Sequence, residues 1–598
     1  MAATQLFPCL GISALGMCNY NPAQPSPVYF TIGDAVSALA FLLAVQQFLK
    51  PIYRFRLRAN GLKIRYLVVT MFLGALCTLV AALIPNLGNL NLGPFSYPLN
   101  WELSGGVLIF AAYAATAYIS LRPARIHKYN LSLFCNAGAS LLSSASEKDR
   151  IDFAEDLLQG NNLDRLVKYA SALERAHRHA IHIASEKRRP AGEPPSFSGN
   201  ARISAFYLFA HRKELELANW AHSFLRILCD DEFCATLVKK SSWLTARTLN
   251  QLKKQNGRTP SLEEFIQAIA CQAILSEESM MAKEHGYVGF ANAPILSNSL
   301  FAELEFLRQY DPLRGLRFKI PQNPTEGFVA RLNDASELVL RAAVTGNEYW
   351  MANYATSLEI VYESLSFRVM MDRSKDRTRE YNFHFHNGIN SLAKILIKGL
   401  SELDARTTKQ LFVTNPSKYR NDLVGTVAKI IYESLECVSN GFKGVEDEAW
   451  IHAQRIISEV YPMFGEVPEG LNPLQQQLAL QLVKKLQQNM EGWYPSISRI
   501  LLAVIGPYET KAGDKGRTAF NILRDVVYFE LKKLSTLNKK APEKISAFLP
   551  PNVKYNPKAN TLTHTYSDGQ KKVTKLSPLK LSSINLCDEK NWQRLEGP

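Results

Sequence analysis

Hydrophobic positions crowd into the first fifth of the chain. Three stretches, Phe30 to Leu49, Tyr66 to Ile84 and Leu103 to Leu121, are almost wholly apolar. Each is close to the roughly 20 residues a helix needs to cross the hydrocarbon core of a bilayer. Beyond about Asn130 the pattern becomes amphipathic. Trp350, Tyr354, Leu358, Val361, Leu365 and Val369 recur at steps of three and four, as do Val424, Val427, Ile431, Leu435 and Val438, so each set lines one helical face. Such stripes read as core rather than as cofactor contacts. After Pro551 the segment VKYNPKANTLTHTYSDGQKKVTKL sets β-branched and aromatic residues around Asp568-Gly569, a dipeptide suited to a tight hairpin turn. The expected fold is therefore mainly α: three N-terminal transmembrane helices, a large all-α cytoplasmic region and a small C-terminal β-hairpin.

Charge orients the three stretches. Lys50, Arg54, Arg56, Arg58, Lys63 and Arg65 lie between the first and second, and Arg122, Arg125 and Lys128 follow the third, whereas residues 1–29 and the loop NLGNLNLGPFSYPLN carry no Lys or Arg. The positive-inside rule then predicts an outside amino terminus and a cytoplasmic location for everything after about Arg122. The expected organisation is an extracytoplasmic segment over 1–28, a three-helix membrane domain over 29–125, juxtamembrane helices over 126–190, a helical domain over 200–467, a helical subdomain over 468–550, and a basic tail with the hairpin over 551–598. The Pro- and Gly-rich run around Pro190 to Gly199 supplies one soft boundary and PEGLNP near Pro468 the other. The predicted location is the inner (plasma) membrane, crossed several times, with the bulk of the chain inside.

An internal echo suggests helical repeats. VTGNEYWMANYATSLEIVYESL from Val344 and VTNPSKYRNDLVGTVAKIIYESL from Val413 share VT, the aligned Tyr349 and Tyr419, and YESL. A duplicated hairpin would make the middle of the chain a stack of repeats with a broad face for partners.

The formal net charge of +15 is unevenly placed. From Lys532 to Lys580 there are eleven Lys against Glu543 and Asp568, and a basic tail near a membrane meets anionic lipid headgroups. The nine cysteines form no framework: there is no Cys-x-x-Cys, and Cys229 with Cys234 lacks zinc-finger spacing. Cys9 and Cys18 would pair only in an oxidising compartment.

Catalytic motifs are scarce. The chain has no G-x-x-x-x-G-K-[ST], no G-x-G-x-x-G and no G-x-S-x-G, which disfavours P-loop, Rossmann and common serine-hydrolase chemistry. Asp514 with Glu530 and Lys532 resembles the acid, acid-x-lysine set of a metal-dependent nuclease. That chemistry wants a strand, whereas Leu523, Val527, Leu531 and Leu534 step as a helix. No catalytic residue is assigned, and no cofactor is expected. His179 and His182 are weak metal candidates, one turn apart with nothing beside them to complete a site. Arg373, Lys375, Arg377 and Arg379, interleaved with Tyr381, His384 and His386, pair cations that grip phosphate with rings that stack on bases. They are the candidate site for a nucleotide or nucleic acid, against the plainer reading of a salt-bridged connector.

Within the membrane stretches, Asp34 would ring the outer mouth of a pore if several subunits met around an axis. Its plainer reading is an interfacial acid. Ala111 and Ala115 form a small-xxx-small step beside Gly105, Gly106 and Ala112, which suits a close helix contact within or between subunits. The leading expectation is a membrane-anchored helical sensor, effector or scaffold, acting as a homo-oligomer that binds a protein partner or ligand and transmits the event to the membrane. Stress response or antiphage defence suits that layout by analogy alone. The alternatives are an oligomeric ion channel and a membrane-tethered nuclease or hydrolase.

Overall fold

The computed structural model describes residues 49–83, 98–144, 146–172, 212–240, 242–253, 259–286, 294–349, 353–371 and 423–440, parts of 31–41, 388–399 and 553–575, and the short pairs 7–8 and 17–18. The described chain is mostly helical with few strands. It forms two compact units, one from Met1–Leu237 with Lys254–Leu262, the other from Val238–Lys253 with Glu263–Pro598.

In the first unit α1 (Pro51–Ala59) leads into α2 (Gly61–Leu83), which packs against α3 (Pro98–Leu121). Pro51 opens α1, where its missing N–H costs nothing. The buried face of α3 is a narrow stripe through Leu99, Glu102, Gly105, Ile109 and Ala112. Glycine sets the closeness of the pair. A Cβ on Gly105 would stand 2.7 Å from the Gly74 carbonyl oxygen and 2.8 Å from Thr78 Cγ2, so the two backbones touch where only hydrogen atoms intervene. Met71, Ile109 and Ala112 close the seam with Ala35, from a helical segment at 33–38. The Tyr113 hydroxyl donates to the Ala38 carbonyl of that segment.

Two helices, Arg65–Leu83 and Pro98–Leu121, are long and apolar enough to cross a membrane. The first apolar stretch is described as helix only at 33–38 and 40–41, so a third span is not established. In each of the two long helices only 22% of the apolar window is buried. Tyr66, Val69, Phe72, Leu103, Val107 and Phe110 face outward.

The remaining helices of this unit are α4 (Leu131–Leu142), α5 (Glu147–Leu158) and α6 (Arg212–Ile227), with a further helical run at 162–172. Ser146 starts α5 by accepting from the Asp149 N–H, an N-cap, while its hydroxyl donates to the Asp149 carboxylate. These helices close around Phe55 of α1. Its ring meets Phe134 at 5.1 Å and Phe153 at 4.9 Å, both edge-on, and Phe224 and Phe233 extend the cluster. Gly138 admits the Phe224 ring, whose edge would lie 2.6 Å from a Cβ there. Cys135 is buried in the same core, and burial pushes its thiol up to about 12, so it is a packing residue rather than a nucleophile.

In the second unit α7 (Ser242–Lys253) packs on α8 (Ile295–Phe301), which packs on α9 (Glu326–Thr345). Polar side chains tie the frame together. Glu284 accepts from the Leu296 and Ser297 N–H groups that open α8, and Tyr362 donates to Asn333 at 2.7 Å. The buried Arg331 donates to the Ile274 carbonyl at 2.6 Å, and burial holds its pKa below the usual guanidinium range. Tyr354, Leu358, Val361 and Leu365 are buried along α10 (Asn353–Met371). Helix α10 packs against α11 (Leu423–Asn440), and Lys429 donates to Glu359 across the contact. The two echoing segments thus each contribute a helix, side by side.

Near the carboxyl end, β1 (Val553–Asn556), β2 (Thr561–Thr565) and β3 (Lys571–Lys575) form a three-stranded antiparallel sheet in sequence order. Thr561 pairs with Lys575 and Thr565 with Lys571. Gly569 takes the left-handed φ of +81° that the turn requires, and the Asp568 carboxylate accepts from the Gln570 N–H at 3.0 Å.

Candidate functional site at the basic end of the apolar hairpin

The two basic segments, far apart in sequence, meet at one end of the α2–α3 pair. Arg56 makes the join. Its guanidinium forks onto Asp156 of α5, with Nε to Oδ2 at 2.7 Å and Nη2 to Oδ1 at 2.8 Å. Nη1 turns the other way and donates to the Ser120 and Leu121 carbonyls at 3.2 and 3.1 Å. Those carbonyls end α3, where the last turn leaves four acceptors without helical partners and a partial negative charge. One side chain therefore caps the second long apolar helix and anchors it to the core of the helical unit. Asp156 is only 1% exposed and Arg56 13%. Burial holds the Asp156 carboxyl above its ordinary value, outweighing the hydrogen bond and charge of Arg56, which lower it. Such a pair is specific in geometry even where its net stabilisation is small.

The connection after α3 is held with equal definition. Asn130 donates to the carbonyls of Ala59 at 3.1 Å and Arg125 at 2.9 Å, and accepts from the His127 N–H at 2.6 Å. Asn162, fully buried, donates to Ala124 at 2.6 Å and Asp156 at 2.8 Å, and accepts from the Ile126 N–H at 2.8 Å. Arg165 adds a hydrogen bond to the Ile126 carbonyl. Residues 122–130 have almost no regular structure, yet Asn162 and Arg165 of the helical run at 162–172, together with Asn130 itself, fix their backbone. Buried backbone groups need such partners. Arg54, Arg58, Arg122, Arg125 and Lys128 remain exposed around this end.

Among the residues singled out from sequence, Asp34 is exposed and closes the first turn of its helical segment, accepting from the Thr31 N–H at 2.7 Å and hydroxyl at 2.8 Å. Ala111 faces outward and Ala115 is half-buried, while the contact with α2 runs through Gly105 and Ala112. Arg373, Lys375, Arg377, Arg379, Tyr381, His384 and His386 lie outside the described residues, as do His179, His182, Asp514, Glu530 and Lys532. Among the described residues no cluster of three metal-binding side chains occurs. Sequence reasoning took Arg56 only as one of six loop cations and passed over Asp156, Asn130 and Asn162. Asn130 at the end of an irregular, basic segment was the one available signal, since short amides commonly fix such backbone.

The sequence matches no family model, no curated protein and no solved structure. What the site does is argued from its geometry.

Proposed function

We propose that this chain is a membrane-anchored α-helical effector or scaffold, with three N-terminal spans, an outside amino terminus and most of its mass in the cytoplasm. On this reading it binds a protein partner or ligand there as a homo-oligomer and passes the event to the membrane through the junction. The observation that carries the reading is the Arg56 clamp. A tether alone needs only an apolar helix and a linker. Here the end of α3 is instead joined through a buried bidentate ion pair to the aromatic core of the adjoining helices, so displacement of one moves the other. The outward apolar surface of α2 and α3 supports insertion, since soluble proteins rarely expose contiguous apolar patches of that extent. The collection of cations at one end supports the orientation.

The test is topology in intact cells. Single cysteines at Asn91, between the two long helices in sequence, and at Ser144, after α4, would be offered a membrane-impermeant maleimide. Asn91→Cys should label from outside and Ser144→Cys only after lysis. Labelling of both from outside, or of neither span-flanking site until lysis, would reject the orientation.

A further inference from the structure

Beside the clamp lies a cleft of about 330 Å³, within the size range of small-ligand sites. Asn60, Tyr118, Arg122, Arg125, His127 and Gln159 line it. The Arg122 guanidinium lies 4.1 Å from the centre of the Tyr118 ring. Stacking of this kind holds the cationic plane while leaving its N–H edge free for oxygen. Arg125 and His127 follow on the irregular segment that Asn130 and Asn162 pin, so their backbone positions are set before any ligand arrives. Among the described residues no carboxylate pairs with Arg122 or Arg125, and Asp156, the buried acid of the junction, is taken by Arg56. Asn60 and Gln159 bring amides from the ends of α1 and α5. The cleft also starts where the apolar surface ends: Tyr118 and Leu121, both well exposed, belong to the last turn of α3, and Tyr129 is 79% exposed nearby in sequence. Aromatic rings collect at the headgroup level of a bilayer.

We propose that this cleft binds a phosphate oxyanion, supplied by the headgroup of an anionic lipid whose acyl chains lie along the outward face of α3. The inference rests on the membrane reading above and adds a defined site to it. Two guanidinium groups offer paired N–H donors to phosphate oxygens, the geometry that makes Arg the usual choice for such anions. Basic pockets at the cytoplasmic ends of membrane helices recognise lipid headgroups by this chemistry.

The full chain, purified in a neutral detergent, would be examined by native mass spectrometry with phosphatidylglycerol, phosphatidylcholine or inorganic phosphate added. Phosphatidylglycerol should be retained over phosphatidylcholine. The double variant Arg122→Gln, Arg125→Gln should weaken its binding at least about tenfold, each cation near an anionic surface contributing roughly fivefold. Circular dichroism should not change, and Arg122→Lys, Arg125→Lys, which keeps the charge but loses the planar fork and its stacking on Tyr118, should restore only part of the binding lost in the Gln variant. Failure of millimolar phosphate to displace the lipid assigns the site to a headgroup. Binding of phosphate alone, lost in the Gln variant, assigns the same oxyanion site to a soluble phosphate. Equal phosphatidylglycerol binding by wild type and Gln variant, or no preference over phosphatidylcholine, overturns the proposal. If wild type then resists carbonate extraction from membranes, the anchor reading survives that result; if it is extracted, both fall.

Discussion

Helices α3 and α9 are built from similar numbers of residues and place them in opposite senses. In α9 the large apolar side chains, Phe328, Leu332, Val339 and Leu340, point inward, and Glu326 and Arg341 point out. In α3 the inward stripe includes Gly105 and Ala112, while Leu103, Val107 and Phe110 point out. An amphipathic stripe facing a core is what water selects, because burying apolar area supplies the driving force. Against lipid that force vanishes between helices, and close backbone packing through small residues replaces it. The contrast within one chain is what two different solvents would produce, as the proposed membrane anchoring requires. It also marks Arg56 as the point where one regime is fastened to the other.

Cutting that fastening should have the largest effect. Arg56→Ala leaves the Asp156 carboxylate buried without its cation and frees the last carbonyls of α3, and removal of one partner from a buried pair costs about 3–5 kcal/mol. The expected outcome is a much lower melting temperature of the detergent-purified protein, with the apolar hairpin still membrane-bound. Asp156→Asn, isosteric and able to accept from the guanidinium, should lose less. Equal melting of Arg56→Ala and wild type would mean that the two regions are independent.

How much of this was legible depends on which physics sets each feature. The long apolar helices are written in local composition, and the stripe through Tyr354, Leu358, Val361 and Leu365 is written in local periodicity. The clamp is neither. Arg56 and Asp156 are 100 residues apart, and nothing in RFRLR distinguishes the buried-pair Arg from its exposed neighbours Arg54 and Arg58. The helix contact was hidden for a related reason. Both a glycine pair and an alanine step satisfy the small-residue rule, and only the rotation of α2 against α3 chooses Gly105 over Ala111. Near the carboxyl end the Asp-Gly turn was readable, but the extra strand at Val553–Asn556 was not, since its pairing with Thr561–Thr565 depends on tertiary context that weighs heavily on strand formation.

The comparison of solvents has a direct test in two substitutions of one kind. Phe72 is 68% exposed on α2 and Phe367 is 50% exposed on α10. Lysine at the centre of a membrane helix costs about 2.5–3.5 kcal/mol on insertion scales, whereas a surface substitution in water usually falls within about 0.5 kcal/mol. Phe72→Lys should therefore reduce the fraction of protein recovered in carbonate-washed membranes, and Phe367→Lys should leave it unchanged. Two neutral substitutions would place both phenylalanines in water and remove the basis of the contrast.

The smallest effects separate packing within the chain from packing between chains. Gly105→Val puts a branched side chain where even a Cβ would stand only 2.7 Å from the Gly74 oxygen, and overpacking of this kind costs about 1–3 kcal/mol. Thermal melting of the purified protein should register it. Ala111→Val adds similar volume on the outward face of the same helix, where melting should shift by no more than about 0.5 kcal/mol. That second variant carries further information, because Ala111 is exposed beside the half-buried Ala115, on a small-residue step that suits contact with a second copy of the helix. If Ala111→Val leaves melting intact yet lowers the oligomer mass measured in detergent, the Ala111–Ala115 face is the seam between subunits; if neither changes, α3 meets only lipid there, and self-association must be sought away from this helix face.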